Sequence, residues 1–176
     1  HGCMPGCPNR CDQTALVPVG DGTVRAVKAG EWETYQGLIN LGIFDDLLAT
    51  AAWVLEHSNI HAYDHIEALV VLAALALASE GGADSGVRFG DGASLRAALA
   101  QAVAGQTDLG QLMRLGAAAV EQHHGLERHF TVGGHALPFH NPRSMLQTGV
   151  GLSWTYGRHG ECCAGPGRHN FLGLPY

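Results

Sequence analysis

No run of lysine or arginine stands out in the 176 residues, and ten basic residues against sixteen acidic ones leave a formal charge of −6. A nucleic-acid binder needs a basic stripe, so that class is excluded. No long hydrophobic run is present either. The most apolar stretch, Ala68 to Ala78, is too short for a bilayer, and no secretory or transit signal is present. A membrane partner is therefore not expected. Strand alternation never persists beyond a few residues, no repeat is visible, and the phosphate-loop pattern is missing. Gly90-Asp91-Gly92 is too short and too common to stand in for it. Cysteine is absent between Cys11 and Cys162, and there is no initiator methionine. The chain opens at His1, two residues before a cysteine, and is expected to be an interior piece of something longer.

Hydrophobic residues make up 46% of the chain and charged residues only 15%. That composition supports a packed core and excludes a disordered tail. The length fits one domain or two small ones.

The five cysteines fall into two groups: Cys3, Cys7 and Cys11, then Cys162 and Cys163. An odd count does not suit a closed disulfide framework. Three thiols within nine residues read as metal ligands in a reducing compartment, the cytoplasm. Pro5 and Pro8 forbid a regular helix there and Gly6 allows a tight reversal, so the segment can wrap with its sulfurs converging. The spacing C-x3-C-x3-C is not the C-x2-C knuckle of zinc ribbons. An iron–sulfur cluster, a structural zinc and unligated thiols all remain open on the pattern. One of Cys162 and Cys163 could supply a fourth ligand.

The middle of the chain reads as helices. Trp32, Tyr35, Leu38 and Ile39 follow helical spacing between Glu31 and Leu41. Asp45 and Asp46 open a second helix carrying Leu47, Leu48, Ala51, Ala52, Val54 and Leu55. Asp64 begins a third, from His65 to about Ser79, ended by Gly81-Gly82 and apolar on nearly every face. It should be the central, most buried helix. Ser94 reads as the cap of a fourth, to about Ala104. A fifth runs from Leu109 to about His123. Val17, Val19 and Val24 could form one hairpin around Gly20-Asp21-Gly22. The fold class is all-α. The expected organisation is a helical domain over 1–124, opening with the cysteine loop, and an irregular Gly/Pro/His-rich segment over 125–176 that starts a further helical domain. His57, His61 and His65 are spaced four apart, but Ser58-Asn59 and Ala62-Tyr63 read as helix breaks. That speaks against one helix presenting all three to a metal.

Together these motifs resemble the tungsten-containing aldehyde ferredoxin oxidoreductases. Cys3-Met4-Pro5-Gly6-Cys7 with Cys11 resembles their cluster segment. Glu31-Trp32-Glu33-Thr34 is similar to E-Y-E-T, and Asn40-Leu41-Gly42-Ile43 to N-L-G-I. Asn59-Ile60-His61-Ala62-Tyr63-Asp64 falls where the family has D-x-x-G-L-D, and Phe89-Gly90-Asp91 resembles F-G-D. Asn141-Pro142-Arg143 is similar to D-P-R, and Gly151-Leu152-Ser153-Trp154-Thr155 to G-L-x-Y-A-T. Arg158 to Cys163 sits where the family has R-G-A-C-H.

The resemblance implies oxidation of aldehydes to carboxylic acids with water, two electrons passing through a 4Fe-4S cluster to ferredoxin. It implies tungsten (or molybdenum) held by two pterins in the complete protein. Cys3, Cys7 and Cys11 would hold the cluster, Glu33 would be the catalytic carboxylate, and Asn59, Asp64 and Arg143 would contact the cofactor. Each has a plainer reading: Glu33 as a solvated helix-start residue, Asp64 as an N-cap, Arg143 in a salt bridge. The resemblance covers the helical domains; the β-rich pterin-binding domain and the later segment with the fourth cluster cysteine have no counterpart in the sequence. Asn59 replaces the first aspartate of the pterin motif and Ala62 its glycine. An asparagine still hydrogen-bonds a pterin but cannot accept a charge-assisted bond. Cys163 stands at the family's histidine, which puts catalysis in doubt. The alternative function is a non-catalytic iron–sulfur or zinc-binding helical module. A homo-oligomer is compatible with either.

Overall fold

A computed structural model describes residues 14–18, 23–28, 32–127, 130–132 and 135–136. Six helices dominate: α1 (Trp32–Asn40), α2 (Leu47–His61), α3 (His65–Glu80), α4 (Gly92–Ala104), α5 (Asp108–Arg114) and α6 (Ala117–His124). Two short antiparallel hairpins accompany them. Strands β1 (Thr14–Pro18) and β2 (Val24–Lys28) pair with Val17 opposite Arg25, where the sequence places a hairpin. Strands β3 (Thr131–Val132) and β4 (His135–Ala136) form a second, two residues per strand, too short to show as alternation. The class is all-α.

The chain builds its centre around α3, as its uniform apolarity requires. Asp64 caps its N-terminus, its Oδ1 accepting from the Ile66 and Glu67 N–H groups at 2.8 and 3.1 Å. Those are two of the four donors a helix start leaves unpaired. Leu69 to Ala76 and Ala78 are all buried, and Leu69, Leu72 and Leu75 are fully so. Removing side chains of that size from water stabilises by roughly 1.5–3 kcal/mol each. Helices α1 and α6 pack against α3, and Leu38, Val54, Leu95, Leu99 and Val120 complete the core. After α3, the Ser85 hydroxyl donates to the Leu75 carbonyl (2.8 Å) and accepts from the Val87 N–H, which tucks Val87 into the core.

Three readings of the sequence need correction. The fourth helix is capped by Asp91, which accepts from the Ala93 and Ser94 N–H groups at 3.0 Å each. Ser94 lies in the first turn, its hydroxyl donating to the Asp91 carbonyl. An aspartate that reaches two backbone donors displaces the serine three residues on. The fifth helix is two. Gly116 adopts φ +88° between Arg114 and Ala117, and the freed Ala117 N–H is taken by Glu67 Oε1 at 2.7 Å. A contact from α3, distant in sequence, outweighs local helical spacing. Finally, Ser58-Asn59 is not a break. Helix α2 runs through it to His61 because the Ser58 hydroxyl bonds back to the Leu55 carbonyl at 2.8 Å inside the helix. The break falls at Ala62.

No single helix among the described residues is long and apolar enough to cross a membrane.

Candidate functional site

The α2–α3 corner carries the Asn59–Asp64 motif. Helices α2 and α3 are bent by 117° to one another. The turn is made at Ala62, with φ +55° and ψ +44°, the left-handed conformation that glycine favours. The Ser58 carbonyl accepts from both Ala62 and Tyr63 N–H groups and closes the helix end. Asp64 then returns to extended backbone and starts α3. Of the residues with positive φ among those described, Ala62 alone is not glycine.

A cleft of about 450 Å³ opens beside this corner. One wall is the corner itself: His61, Ala62, Tyr63, Asp64 and Glu67. The lining also includes the apolar Val71, Leu99 and Met113, together with Arg114 and Gly116. Asp64 spends only Oδ1 on its cap, so Oδ2 remains as an acceptor. Glu67 spends Oε1 on the Ala117 N–H and likewise keeps an oxygen. An apolar lining with a few polar groups is what a small-molecule site needs.

Behind the cleft wall the rings form a cluster. His57 stacks on Trp53, with ring centroids 4.4 Å apart and an interplanar angle of 18°. On its other side His61 lies at 4.4 Å, tilted by 57°. The Tyr63 hydroxyl sits 3.0 Å from His57 Nδ1. Burial pushes the Tyr63 phenol up to about 12, and burial followed by the neighbouring His61 holds His57 below its ordinary value. Burial thus keeps the phenol protonated and the imidazole neutral near neutral pH, and the tautomer of His57 sets which of the two donates.

Of the residues expected from the sequence, Asp64 lies on the cleft and serves as the N-cap. Asn59 is exposed on the last turns of α2 and is not among the cleft-lining residues. Glu33 lies on α1, near its start, and its side chain is outside the described residues. Its neighbour Thr34 is fully buried with no partner for its hydroxyl. Cys3, Cys7, Cys11, Arg143, Cys162 and Cys163 lie outside the described residues. Among the described residues no three His, Cys, Asp or Glu side chains group to hold a metal. His57 and His61 share a face of α2, and His65 begins the next helix.

Sequence reasoning missed Tyr63 and Arg114. Tyr63 had a signal: it replaces the leucine of the resembled D-x-x-G-L-D and follows two histidines one turn apart. Arg114 had none, because only the tertiary packing sets it in the cleft lining. Glu121 was missed too. It is 3% exposed, and its carboxylate accepts from the Phe130 N–H at 2.6 Å and the Thr131 hydroxyl at 2.5 Å, fastening β3 to α6.

Searches of curated proteins and of solved structures match nothing. The family model described as aldehyde ferredoxin oxidoreductase, domains 2 and 3, matches residues 1–167. With the helical core and the motif-bearing corner in that span, the chain belongs to the aldehyde ferredoxin oxidoreductase family, in its domains 2 and 3.

Proposed function

We propose that this chain supplies the helical part of an enzyme that oxidises an aldehyde with water to a carboxylic acid, releasing two protons and two electrons, the electrons passing to ferredoxin. The family match over residues 1–167 carries this reading. The α2–α3 corner is its helical wall against a pterin. Asp64 offers Oδ2, beside a cleft, to a ring N–H or amino group, and a carboxylate makes that bond charge-assisted or strongly polarised. The residues present fit such a group at Asp64, with Asn59 as a neutral second contact outside the cleft. The chemistry that a tungsten or molybdenum bis-pterin supplies when bound is acceptance of the two electrons from the aldehyde. Arg143 serves as a further cofactor contact. Glu33 acts as the base, its carboxylate taking a proton from the attacking water. Cys3, Cys7 and Cys11 hold a 4Fe-4S cluster that relays electrons outward. A non-catalytic cluster- or zinc-binding module is favoured instead by two replacements, Asn59 for the motif aspartate and Cys163 for the histidine.

The experiment compares Asp64→Asn with Asp64→Ala in the complete protein, with its pterin-binding domain, prepared anaerobically from a host supplied with tungstate and molybdate. Asn keeps an N-cap oxygen and removes the charged acceptor. The expected result is that Asp64→Asn retains the melting temperature but loses most bound pterin and aldehyde-dependent viologen reduction. Glu33→Gln should keep the pterin and lose the rate by at least about a hundredfold, the usual weight of a general base. Complete wild-type protein that carries iron but neither pterin nor aldehyde activity would establish the non-catalytic module.

A further inference from the structure

Tyr63 and His57 make a contact that the cofactor reading does not use. Tyr63 occupies a cleft wall, and its hydroxyl is joined at 3.0 Å to a histidine that is not itself in the cleft lining. Helical periodicity sets Trp53, His57 and His61 one turn apart on one face of α2. The left-handed turn at Ala62 then folds Tyr63 back onto that face. His57 is held from three sides, by the Trp53 ring, the His61 ring and the Tyr63 hydroxyl.

A hydroxyl has one proton to give, and the ring nitrogen opposite it decides where that proton goes. A neutral imidazole with a bare Nδ1 accepts. A protonated imidazole carries N–H at both nitrogens and can only donate. We propose that His57 sets the direction of the Tyr63 hydroxyl: neutral His57 draws the phenol proton to Nδ1, and protonated His57 donates to the phenol oxygen and turns its proton toward a hydrogen-bond acceptor bound in the cleft. The acceptor is a carbonyl or heteroaromatic ring nitrogen. The ligand half of this inference rests on the cofactor reading above; the proton exchange between His57 and Tyr63 does not.

The surroundings limit the exchange to one proton at a time. His57 and His61 stand with ring centroids 4.4 Å apart, so a charge on His61 opposes a charge on His57. Helix α2 also carries Glu56, and α3, which packs on α2, carries His65 and Glu67. From α4, Arg96 reaches the Thr50 hydroxyl near the start of α2, away from the cluster. Arg114 also lines the cleft. Strand β2, which also packs on α2, carries Arg25 and Lys28, and α1 carries Glu33 and Tyr35.

The test is histidine NMR on the full chain, reading the ring nitrogens of His57 from neutral to mildly acidic pH. The expected result is a bare Nδ1 at the neutral end that becomes N–H on acidification, with the Tyr63 ring resonances moving at the same midpoint. Tyr63→Phe removes a hydrogen bond from both forms of His57, the stronger one from the protonated form, and should lower that midpoint by about half a unit. His61→Asn removes the opposing charge and should raise it. A His57 that carries its proton on Nδ1 at neutral pH, or a midpoint indifferent to Tyr63→Phe in a chain with an unchanged backbone fingerprint, overturns the proposal. In a second arm, a free soluble pterin is titrated on either side of the His57 midpoint. Binding several-fold tighter on the acid side, flattened in Tyr63→Phe, supports delivery of the proton to the cleft; equal binding on both sides overturns it. Should pterin bind at neither pH, the cofactor reading of the cleft falls, and the nitrogen titration alone decides the exchange.

Discussion

The α4–α5 crossing and the α2–α3 corner both turn through a left-handed residue, yet they are assembled by opposite rules. At the crossing every local choice agrees with the geometry. Gly105, with φ +62°, ends α4; the Thr107 hydroxyl accepts from the Gly110 N–H at 3.0 Å and starts α5; and Gly110 is buried where the two backbones meet. At the corner the left-handed residue is Ala62, the helix end is crowded with two histidines, and the following tyrosine is committed to a ring in the previous turn. The crossing keeps to the local rules, even though Leu99 and Ala102 of α4 and Met113 and Arg114 of α5 line the cleft. The corner accepts backbone strain and gathers polar groups beside a cleft, which is where local rules are expected to yield to function.

The comparison breaks most sharply at Gly110. A Cβ there would overlap the Gln101 carbonyl oxygen and lie 2.9 Å from its carbon. Neither atom is the end of a flexible side chain, so α4 and α5 must separate. Gly110→Ala is expected to cost about 3 kcal/mol, the upper end for overpacking, read as a lower urea midpoint with the slope unchanged. A variant as stable as the parent would show that the crossing is not close-packed.

The two left-handed residues give a reciprocal pair of smaller effects. Gly105→Ala installs the strain that Ala62 already bears. Its new Cβ meets only the Arg114 guanidinium, which can swing away, so the cost is mainly conformational. Ala62→Gly relieves that strain, partly offset by the extra freedom of glycine in the unfolded chain. Stability should fall by about 1 kcal/mol in the first and rise by about 0.5–1 kcal/mol in the second. Thermal denaturation of both variants, in one buffer, reads the opposite signs directly. Equal signs would mean that Ala62 is not held left-handed.

What could be read from the sequence follows the same division. Helix α3 was legible because its apolarity is uniform and because Asp64 and Gly81-Gly82 mark both ends within a few residues. The first hairpin was legible from three valines around a turn. The break between α5 and α6 was not, because it depends on Glu67, fifty residues away, reaching the Ala117 N–H. Asp91 prevailed over Ser94 as a cap on side-chain geometry that spacing does not express. For the site, the motif located the corner and Asp64. It could not show that Asn59 lies off the cleft, since that depends on where α2 ends, nor that Arg114 lines it. The cysteines and Glu33 owe their assignment to the family pattern.

The smallest expected effect separates the corner from the end of α6, where a second histidine pair lies. His57, lowered first by burial and then by His61, and His124, lowered first by burial and then by His123, both favour the neutral form in the folded chain. The unfolded chain takes up protons at the ordinary value of 6.5, before the folded chain does. Stability from these groups is therefore fully present above 6.5 and declines as pH falls below it toward the lowered folded values. Both rings are only partly buried, so the decline is shallow. Tyr63 gives the opposite limb. Its phenol is raised from 10.0 to about 12, so the folded chain keeps a proton that the unfolded chain has lost, and stability declines as pH rises from 10 toward 12. Urea midpoints across pH should show both limbs in the parent. His57→Asn should flatten part of the acid limb and His124→Asn the rest, whereas Tyr63→Phe should remove the phenol's share of the alkaline limb. An acid limb that survives unchanged in the double histidine variant would show that neither ring sets it. The corner would then hold its histidines no differently from solvent.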